Sequence, residues 1–274
     1  MCYNLIHRRF ALKDKVAVVT ASGTGIGFAS AVKMSENGAV VYILDYNREM
    51  AEKNIKSLSP ELQSRMKFVQ YDALDKDSYS RVFNKIGEEA SHIDILVNNF
   101  GTTDVRKDLD IRHIDCDFYL ETVNKNLASV LLPIQLCLPY MTERGGSIVN
   151  IASVAAAVPD ISQLAYSTAK AGIVHITKQI SIMEMKNKIR CNAVLPGMTM
   201  TQAVKNNLTE EFKKFFLRHI PAGRGAEPEE VAEAVYYFAS DASKYTTGQA
   251  LVVSGGFGNG TPLYADVYNA PTSR

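Results

Sequence analysis

Several features that would settle a function quickly are missing from this chain. Its four cysteines, Cys2, Cys116, Cys137 and Cys191, lie far apart and form no Cys-x-x-Cys pair. That excludes a disulfide framework as the organising device, and they read as reduced thiols in ordinary helices and strands. Net charge is scarce as well: 30 basic residues against 29 acidic ones leave a formal charge of +1. No global field is available to draw in nucleic acid or an anionic membrane. No window approaches the roughly 18 consecutive apolar residues of a membrane-spanning helix. In the opening "MCYNLIHRRFALKD", charge returns at Lys13 and Asp14 before a signal-peptide core has formed, so a cytoplasmic enzyme is the simplest expectation. There is no internal repeat and no low-complexity linker. What remains is small-molecule chemistry in one soluble domain, for which 274 residues and 46% hydrophobic content are ample.

Seven short apolar runs read as buried strands: 15–20, 39–45, 66–72, 93–99, 146–153, 189–197 and 250–256. Helix-length segments separate them. The runs are continuous rather than alternating, as strands covered on both faces should be. The expectation is an α/β fold, a single Rossmann-type doubly wound parallel seven-stranded sheet with helices on both faces. Residues 1–12 read as an N-terminal extension, 13–258 as the domain, and 259–274 as a tail. In such sheets ligands bind beyond the carboxyl ends of the strands. The special residues cluster there: Thr20 to Gly27, Asp45, Asp72, Asn98 to Gly101, Ser153, and Pro196 with Gly197.

After the first strand, "TASGTGIG" places Gly23, Gly25 and Gly27 before a helix, so backbone amides at a helix N-terminus can meet a pyrophosphate without a side chain intervening. A tight strand-to-helix turn without a ligand would look the same. Asp45, eighteen residues beyond Gly27, is placed to accept hydrogen bonds from the adenosine ribose. A carboxylate there repels the 2′-phosphate of NADP, so NAD is the expected cofactor. Arg48, three residues on, would reverse that preference by bending back. Asp72 either caps the adenine amine or caps the helix that follows it.

"YSTAK" puts Tyr166 and Lys170 four residues apart on one helix face, and Ser153 reaches the same rim from the end of the fifth strand. A phenol is a poor base at neutral pH. A neighbouring ammonium and a positive nicotinamide ring would both favour phenolate and lower its pKa. The division of labour follows: Tyr166 takes the hydroxyl proton as hydride leaves, Ser153 hydrogen-bonds the developing carbonyl oxygen, and Lys170 lowers the tyrosine pKa while holding the cofactor ribose. Asn126 is either a packing residue or an amide that positions Lys170 through water.

Together these motifs resemble the short-chain dehydrogenase/reductase family from about Lys13 to Gly256: "TASGTGIG" for T-G-x-x-x-G-x-G, "NNFG" for N-N-A-G, "YSTAK" for Y-x-x-x-K, and "PGMTMT" for P-G-x-x-x-T. The resemblance implies a catalytic tetrad of Asn126, Ser153, Tyr166 and Lys170. It further implies that Ser22, Gly23, Gly25, Ile26 and Gly27 cradle the pyrophosphate, with the Ile26 backbone amide donating. Asp45, Asp72, Ala73, Asn98 and Gly101 would line the adenosine side, and Tyr166, Lys170, Thr199 and Thr201 the nicotinamide. No metal is implied. Two departures stand out: Ala21 replaces the loop's first glycine, which costs alanine strain if φ is positive there, and Phe100 replaces the alanine of N-N-A-G.

Within the family, "IDILVNNFGT", "KDLD", "VPDIS", "IRCNAVLPG" and the "VSGG" followed by "GTPLYA" are similar to bacterial bile-acid hydroxysteroid dehydrogenases, the 7α-specific ones in particular. That implies a hydrophobic steroid alcohol or ketone as substrate. The segment 198–220, with Met198, Met200, Val204, Leu208, Phe212, Phe215, Phe216 and Leu217, reads either as a lid over such a molecule or as helices packing an apolar stripe. Arg106, Lys107 and Arg112 either meet an acidic tail or form a solvated face. The family likeness also implies a homotetramer or homodimer, pairing through helices near 110–142 and 154–186, with the tail closing over a neighbouring site. A 3-oxoacyl thioester reductase, a polyol dehydrogenase and a 12-hydroxysteroid dehydrogenase remain alternatives on the same scaffold, and a non-catalytic dinucleotide sensor is a further one.

Overall fold

The computed structural model describes residues 11–260 and Asp266. Seven strands form one sheet: β1 (Val16–Thr20), β2 (Val40–Asp45), β3 (Met66–Gln70), β4 (Ile95–Asn98), β5 (Gly146–Ile151), β6 (Ile189–Pro196) and β7 (Ala250–Val253). All pairings are parallel, in the order β3-β2-β1-β4-β5-β6-β7. The order reverses between β1 and β4, so the crevice at their carboxyl ends is the topological switch point where ligands bind in this architecture. The helices are α1 (Gly25–Glu36), α2 (Arg48–Lys56), α3 (Pro60–Ser64), α4 (Lys76–Ala90), α5 (Cys116–Met141), α6 (Leu164–Met183), α7 (Gln202–Asn207), α8 (Glu210–Leu217) and α9 (Pro228–Ala239).

The continuous apolar strands follow from burial on both faces, because alternate side chains point to opposite sides. Val18, Tyr42, Leu96, Ile148 and Cys191 pack with Phe83 and Ile86 of α4, Val130 and Ile134 of α5, and Ile173 of α6. On the other face Ala17, Val19, Ile43, Val97 and Val149 pack with Ala31 and Met34 of α1 and with Val231, Val235 and Phe238 of α9.

The sequence expectations need correction in four places. Leu12, assigned to an extension, is buried in the second cluster, and its N–H donates to the Asn37 carbonyl at 2.8 Å. The domain therefore begins at least one residue earlier. The edge strands are less buried than expected: in β3 only Met66 is buried, and Leu251 and Val252 of β7 are exposed. The segment 154–163, read as part of a long helix, contains Pro159 and gives only a short 3-10 turn (Val154–Ala156) before α6 starts at Leu164. Asp110 to Ile114 likewise form turns, and α5 starts after Asp115, whose carboxylate accepts the Phe118 N–H at 2.8 Å. Beyond Gly260 the tail lies outside the described residues except Asp266, which sits 3.7 Å from Arg218. Residues 1–10 of the expected 1–12 extension also lie outside them.

Candidate active site

The glycine turn is built by polar groups that hold it to its neighbours. The Ser22 hydroxyl donates to the Val19 carbonyl (2.7 Å) and accepts the Leu44 N–H (3.1 Å), pinning the end of β1 against β2. Ser22 thus serves the loop through structure and is fully buried. Gly23 packs so closely on Asp45 that an added Cβ would lie 2.9 Å from its carboxyl carbon. At Gly27 an added Cβ would meet the Ala21 carbonyl at 2.7 Å, a backbone atom that has no freedom to move aside. Gly25 has φ +59°, and Thr201 Cγ2 would lie 3.3 Å from a Cβ placed there.

Ala21 has φ +49°, so the residue that replaces the expected glycine does occupy the left-handed region. Its methyl group is strained by about 1 kcal/mol. Ala21→Gly is therefore expected to raise the thermal midpoint by relieving that strain. An unchanged or lowered midpoint in calorimetry would show that the surrounding bonds have absorbed it.

One loop residue was not singled out from sequence. Asn99 donates its side-chain N–H to the Ala21 carbonyl at 2.7 Å, and its backbone N–H to Thr20 Oγ1 at 3.0 Å. Its neighbour Asn98, expected on the adenosine side, is buried elsewhere: its Nδ2 donates to Asn150 Oδ1 at 2.9 Å, and Asn150 in turn donates to Thr177 Oγ1 of α6. Asn98 lies two residues from Leu96 and so shares the α5–α6 face of the sheet. Asn98 Oδ1 is buried without a hydrogen-bond partner.

The Asp45 carboxylate accepts the Gly23 N–H (2.8 Å) and the Asn47 N–H (2.9 Å), one on each oxygen, which fixes it beside the loop. Arg48 does not bend back to it. Its guanidinium donates to Glu52 at 2.9 Å and stacks 4.7 Å from the Phe68 ring centroid. Asp72 is exposed and accepts the Leu74 N–H at 2.8 Å, while the cap of α4 is Asp75, three residues later. The Ala73 carbonyl accepts the Tyr79 hydroxyl at 2.8 Å, anchoring that turn to α4.

Helix N-termini separate the ligand-facing elements from the rest. The helices α2, α3, α4, α5, α7 and α8 are each capped by their own N-cap side chain, and α9 by a capping box between Glu227 and Glu230. Among the described helices, α1 and α6 lack such a cap. The first N–H groups of α1 have no intrahelical partner, and Thr24 offers no side-chain acceptor. Its first turn also holds no acidic residue. Bare amides after a glycine turn that a Cβ would fill fit the pyrophosphate of a dinucleotide. Residues Gly23 to Gly27 with Asp45 would hold its adenosine half, and Thr199 and Thr201 border the other end. Thr199 is buried and bonds the Gly197 carbonyl at 3.1 Å, while Thr201 caps α7.

At that other end Ser153, Tyr166 and Lys170 converge. The Lys170 ammonium lies 5.5 Å from the Tyr166 ring centroid and donates to the Ile151 carbonyl at 3.0 Å. Lys170 is almost fully buried with no carboxylate on it, and burial pushes its pKa down to about 8. In the chain alone, burial holds the Tyr166 phenol above the ordinary range, and a hydrogen bond with Ser153 draws it only partly back. The physical reason is that desolvation penalises phenolate more than the Ser153 hydrogen bond favours it. The Asn126 amide is engaged with the protein itself: Oδ1 accepts the Thr102 N–H (3.1 Å), and both Nδ2 hydrogens go to carbonyls, of Thr102 and Thr122 (each 2.8 Å). It clamps the loop after β4.

Gly101 completes this corner, because a Cβ there would lie 2.6 Å from Lys170 Nζ. That ammonium is the mobile end of a side chain, so the fold should tolerate Gly101→Ala while Lys170 shifts. We expect near-wild-type melting with turnover reduced by about tenfold or more. Equal losses of stability and turnover would show that the backbone, not Lys170, gives way.

The segment 198–220 holds two short helices, α7 and α8. Phe216 of α8 stacks on Phe257 with centroids 5.1 Å apart, whereas Phe212 and Phe215 are exposed, so one stripe packs and another faces outward. Arg106 is paired with Asp104 on the surface. A separate cavity of about 380 Å³ lies at the opposite rim, among residues such as Lys15, Asp94, Arg144 and Arg190, and shares no residue with the Tyr166 cluster. The described residues hold no cluster of His, Cys, Asp or Glu suited to a metal ion. No helix among them is long and apolar enough to cross a membrane.

A doubly wound sheet with a bare helix N-terminus and a Ser–Tyr–Lys cluster on one rim defines a dinucleotide-dependent oxidoreductase. The family model described as Enoyl-(Acyl carrier protein) reductase matches residues 20–258. The 7alpha-hydroxysteroid dehydrogenase of Paraclostridium sordellii is 46% identical over 257 residues, 93% of this chain and 96% of that protein. The 3-oxoacyl-[acyl-carrier-protein] reductase FabG of Thermotoga maritima is 34% identical over 246 residues, 89% of this chain and 98% of that protein. A short-chain type dehydrogenase/reductase from Mycobacterium marinum superposes with a TM-score of 0.83 at 28% identity, covering 91% of this chain and 98% of that one. The chain belongs to the short-chain dehydrogenase/reductase family, and so is an oxidoreductase that uses a nicotinamide dinucleotide.

Proposed function

We propose that the protein transfers hydride between NAD(H) and a secondary alcohol or ketone on a steroid, the 7α-hydroxyl of a bile acid. The observation that carries the chemistry is the convergence of Ser153, Tyr166 and Lys170 beside the uncapped α1. The steroid substrate is supported by the 46% identity to a protein named for 7α-hydroxysteroid oxidation, against 34% to one named for 3-oxoacyl reduction. The exposed Phe212 and Phe215 of α8 add an apolar surface suited to a hydrophobic substrate. NAD is supported by Asp45, fixed by two N–H groups beside the loop, and by Arg48, which is committed to Glu52 and Phe68.

When bound, the dinucleotide supplies the carbon that accepts or returns hydride. The chain's own residues manage the oxygen. Tyr166 holds or removes the proton on the substrate oxygen, Ser153 donates a hydrogen bond to that oxygen as it becomes a carbonyl, and Lys170 places positive charge against the tyrosine. Burial favours the protonated phenol in the free protein, the form that can give a proton to a carbonyl oxygen. Alcohol oxidation needs phenolate, so its rate is expected to climb as pH rises.

The deciding assay incubates the protein with cholate and either NAD or NADP and follows reduced-nicotinamide absorbance. NAD should support the faster turnover. No signal with cholate, alongside turnover of acetoacetyl thioester with NADPH, would replace the reading by the acyl reductase that the family description names. The exposed Leu251, Val252, Ile182 and Met183 support assembly as a homodimer or homotetramer through β7 and α6. A monomer in sedimentation equilibrium would remove that part of the proposal.

A further inference from the structure

The helix that carries Tyr166 begins without a cap of its own. Its N-cap residue, Gln163, sits at φ +58° and makes no side-chain bond to the first turn. Tyr166 stands in that turn, where N–H groups lack intrahelical partners and helices fray. The missing acceptor comes from far away in the sequence. Asp108, fully buried on the loop after β4, accepts the Ala165 N–H on Oδ1 (2.8 Å) and the Tyr166 N–H on Oδ2 (3.0 Å). Its backbone carbonyl accepts the Gln163 N–H at 2.9 Å. The same Oδ2 accepts the Thr103 hydroxyl at 2.7 Å. What meets this carboxylate is a helix N-terminus and a hydroxyl, donors whose partial charges suit an anion.

We propose that Asp108 is a positioning residue: it supplies the cap of α6 across the fold and thereby fixes the Tyr166 hydroxyl against Ser153 and Lys170. The inference rests on the reading of Tyr166 as the acid–base group. Two clamps then define the loop from Gly101 to Asp108. Asn126 on α5 holds Thr102, and Asp108 holds Thr103 to the first turn of α6. The loop and the proton-transfer group move as one piece. A displacement of about 1 Å at a reacting group costs on the order of a hundredfold in rate, so a frayed first turn is felt in turnover before it is felt in folding.

The test uses Asp108→Ala, which removes both bonds to α6, and Asp108→Asn, which keeps the shape and one acceptor. Folded protein is counted by NAD titration, turnover is measured with cholate, and amide hydrogen exchange is followed along α6. We expect Asp108→Ala to lower kcat by about tenfold or more per NAD-binding site. Asn should fall between Ala and wild type, and the NAD dissociation constant should stay near its original value. Exchange at Ala165 and Tyr166 should accelerate while exchange near Thr177 stays slow. Wild-type kcat per NAD-binding site in both variants would overturn the proposal, as would uniform loss of protection along α6 with NAD binding lost in step. Failure of the wild type to oxidise cholate would instead sink the substrate reading. In that case unchanged exchange at Ala165 and Tyr166 in Asp108→Ala would still overturn the cap.

Discussion

Tyr166→Phe is expected to cut turnover by a factor of roughly a hundred to ten thousand, the range that a positioned proton-transfer group contributes. The substitution removes one oxygen from a half-buried ring and leaves its packing in place, so the loss should be confined to chemistry. Binding of NAD should weaken by no more than about fivefold, the worth of one net hydrogen bond. Initial rates and a direct binding titration on the same preparation separate the two. Surviving turnover would mean that another group moves the proton, and it would reassign Tyr166 to packing.

The second large effect joins stability to activity with opposite signs. Lys170→Met should abolish most turnover and also make the protein harder to unfold at neutral pH. Burial depresses the Lys170 pKa to about 8, against the ordinary 10.5 of an unfolded chain. A basic group whose folded pKa is lowered destabilises the fold fully below the folded value, and the penalty fades as pH rises to the unfolded one. Wild-type stability should therefore gain with pH between about 8 and 10.5 from this group. The gap between the two pKa values corresponds to about 3 kcal/mol at pH 7. Methionine fills a similar volume without the charge, so the variant's advantage should be largest near pH 7 and should shrink by pH 10.5. A variant less stable than wild type at pH 7 would show that the Ile151 carbonyl bond and the Tyr166 contact outweigh desolvation. Such a cost, borne in the folded state at a reacting group, is the usual signature of a site shaped for function at the expense of stability.

How far the sequence revealed all this depended on the range of the interaction concerned. The central strands were legible because burial on both faces writes itself as a continuous apolar run, whereas β3 and β7 carry similar runs at the sheet's edges, where burial is only partial. Tyr166 and Lys170 were legible because a four-residue spacing fixes a common helix face. Which of Asn98 and Asn99 meets the glycine loop was not, since it turns on strand parity at the last residue of β4. The burial that raises the Tyr166 pKa in the chain alone was not legible for a related reason: a helix face can be read from spacing, but the depth at which it is buried cannot. Asp108 was invisible as a cap because its partners lie in a distant helix, and a long-range cap leaves no local pattern. Ala21 is the converse case. The motif flagged it, and its φ of +49° shows that the fold keeps the conformation even without glycine.

The central claim, NAD-dependent hydride transfer at the steroid 7α-hydroxyl, is tested most directly by comparing two bile acids that differ only there. Chenodeoxycholate carries that hydroxyl and lithocholate lacks it. With NAD in excess, the account predicts reduced nicotinamide and a 7-oxo product from chenodeoxycholate and no turnover of lithocholate. Equal turnover of both would place the reaction at another carbon and contradict the claim.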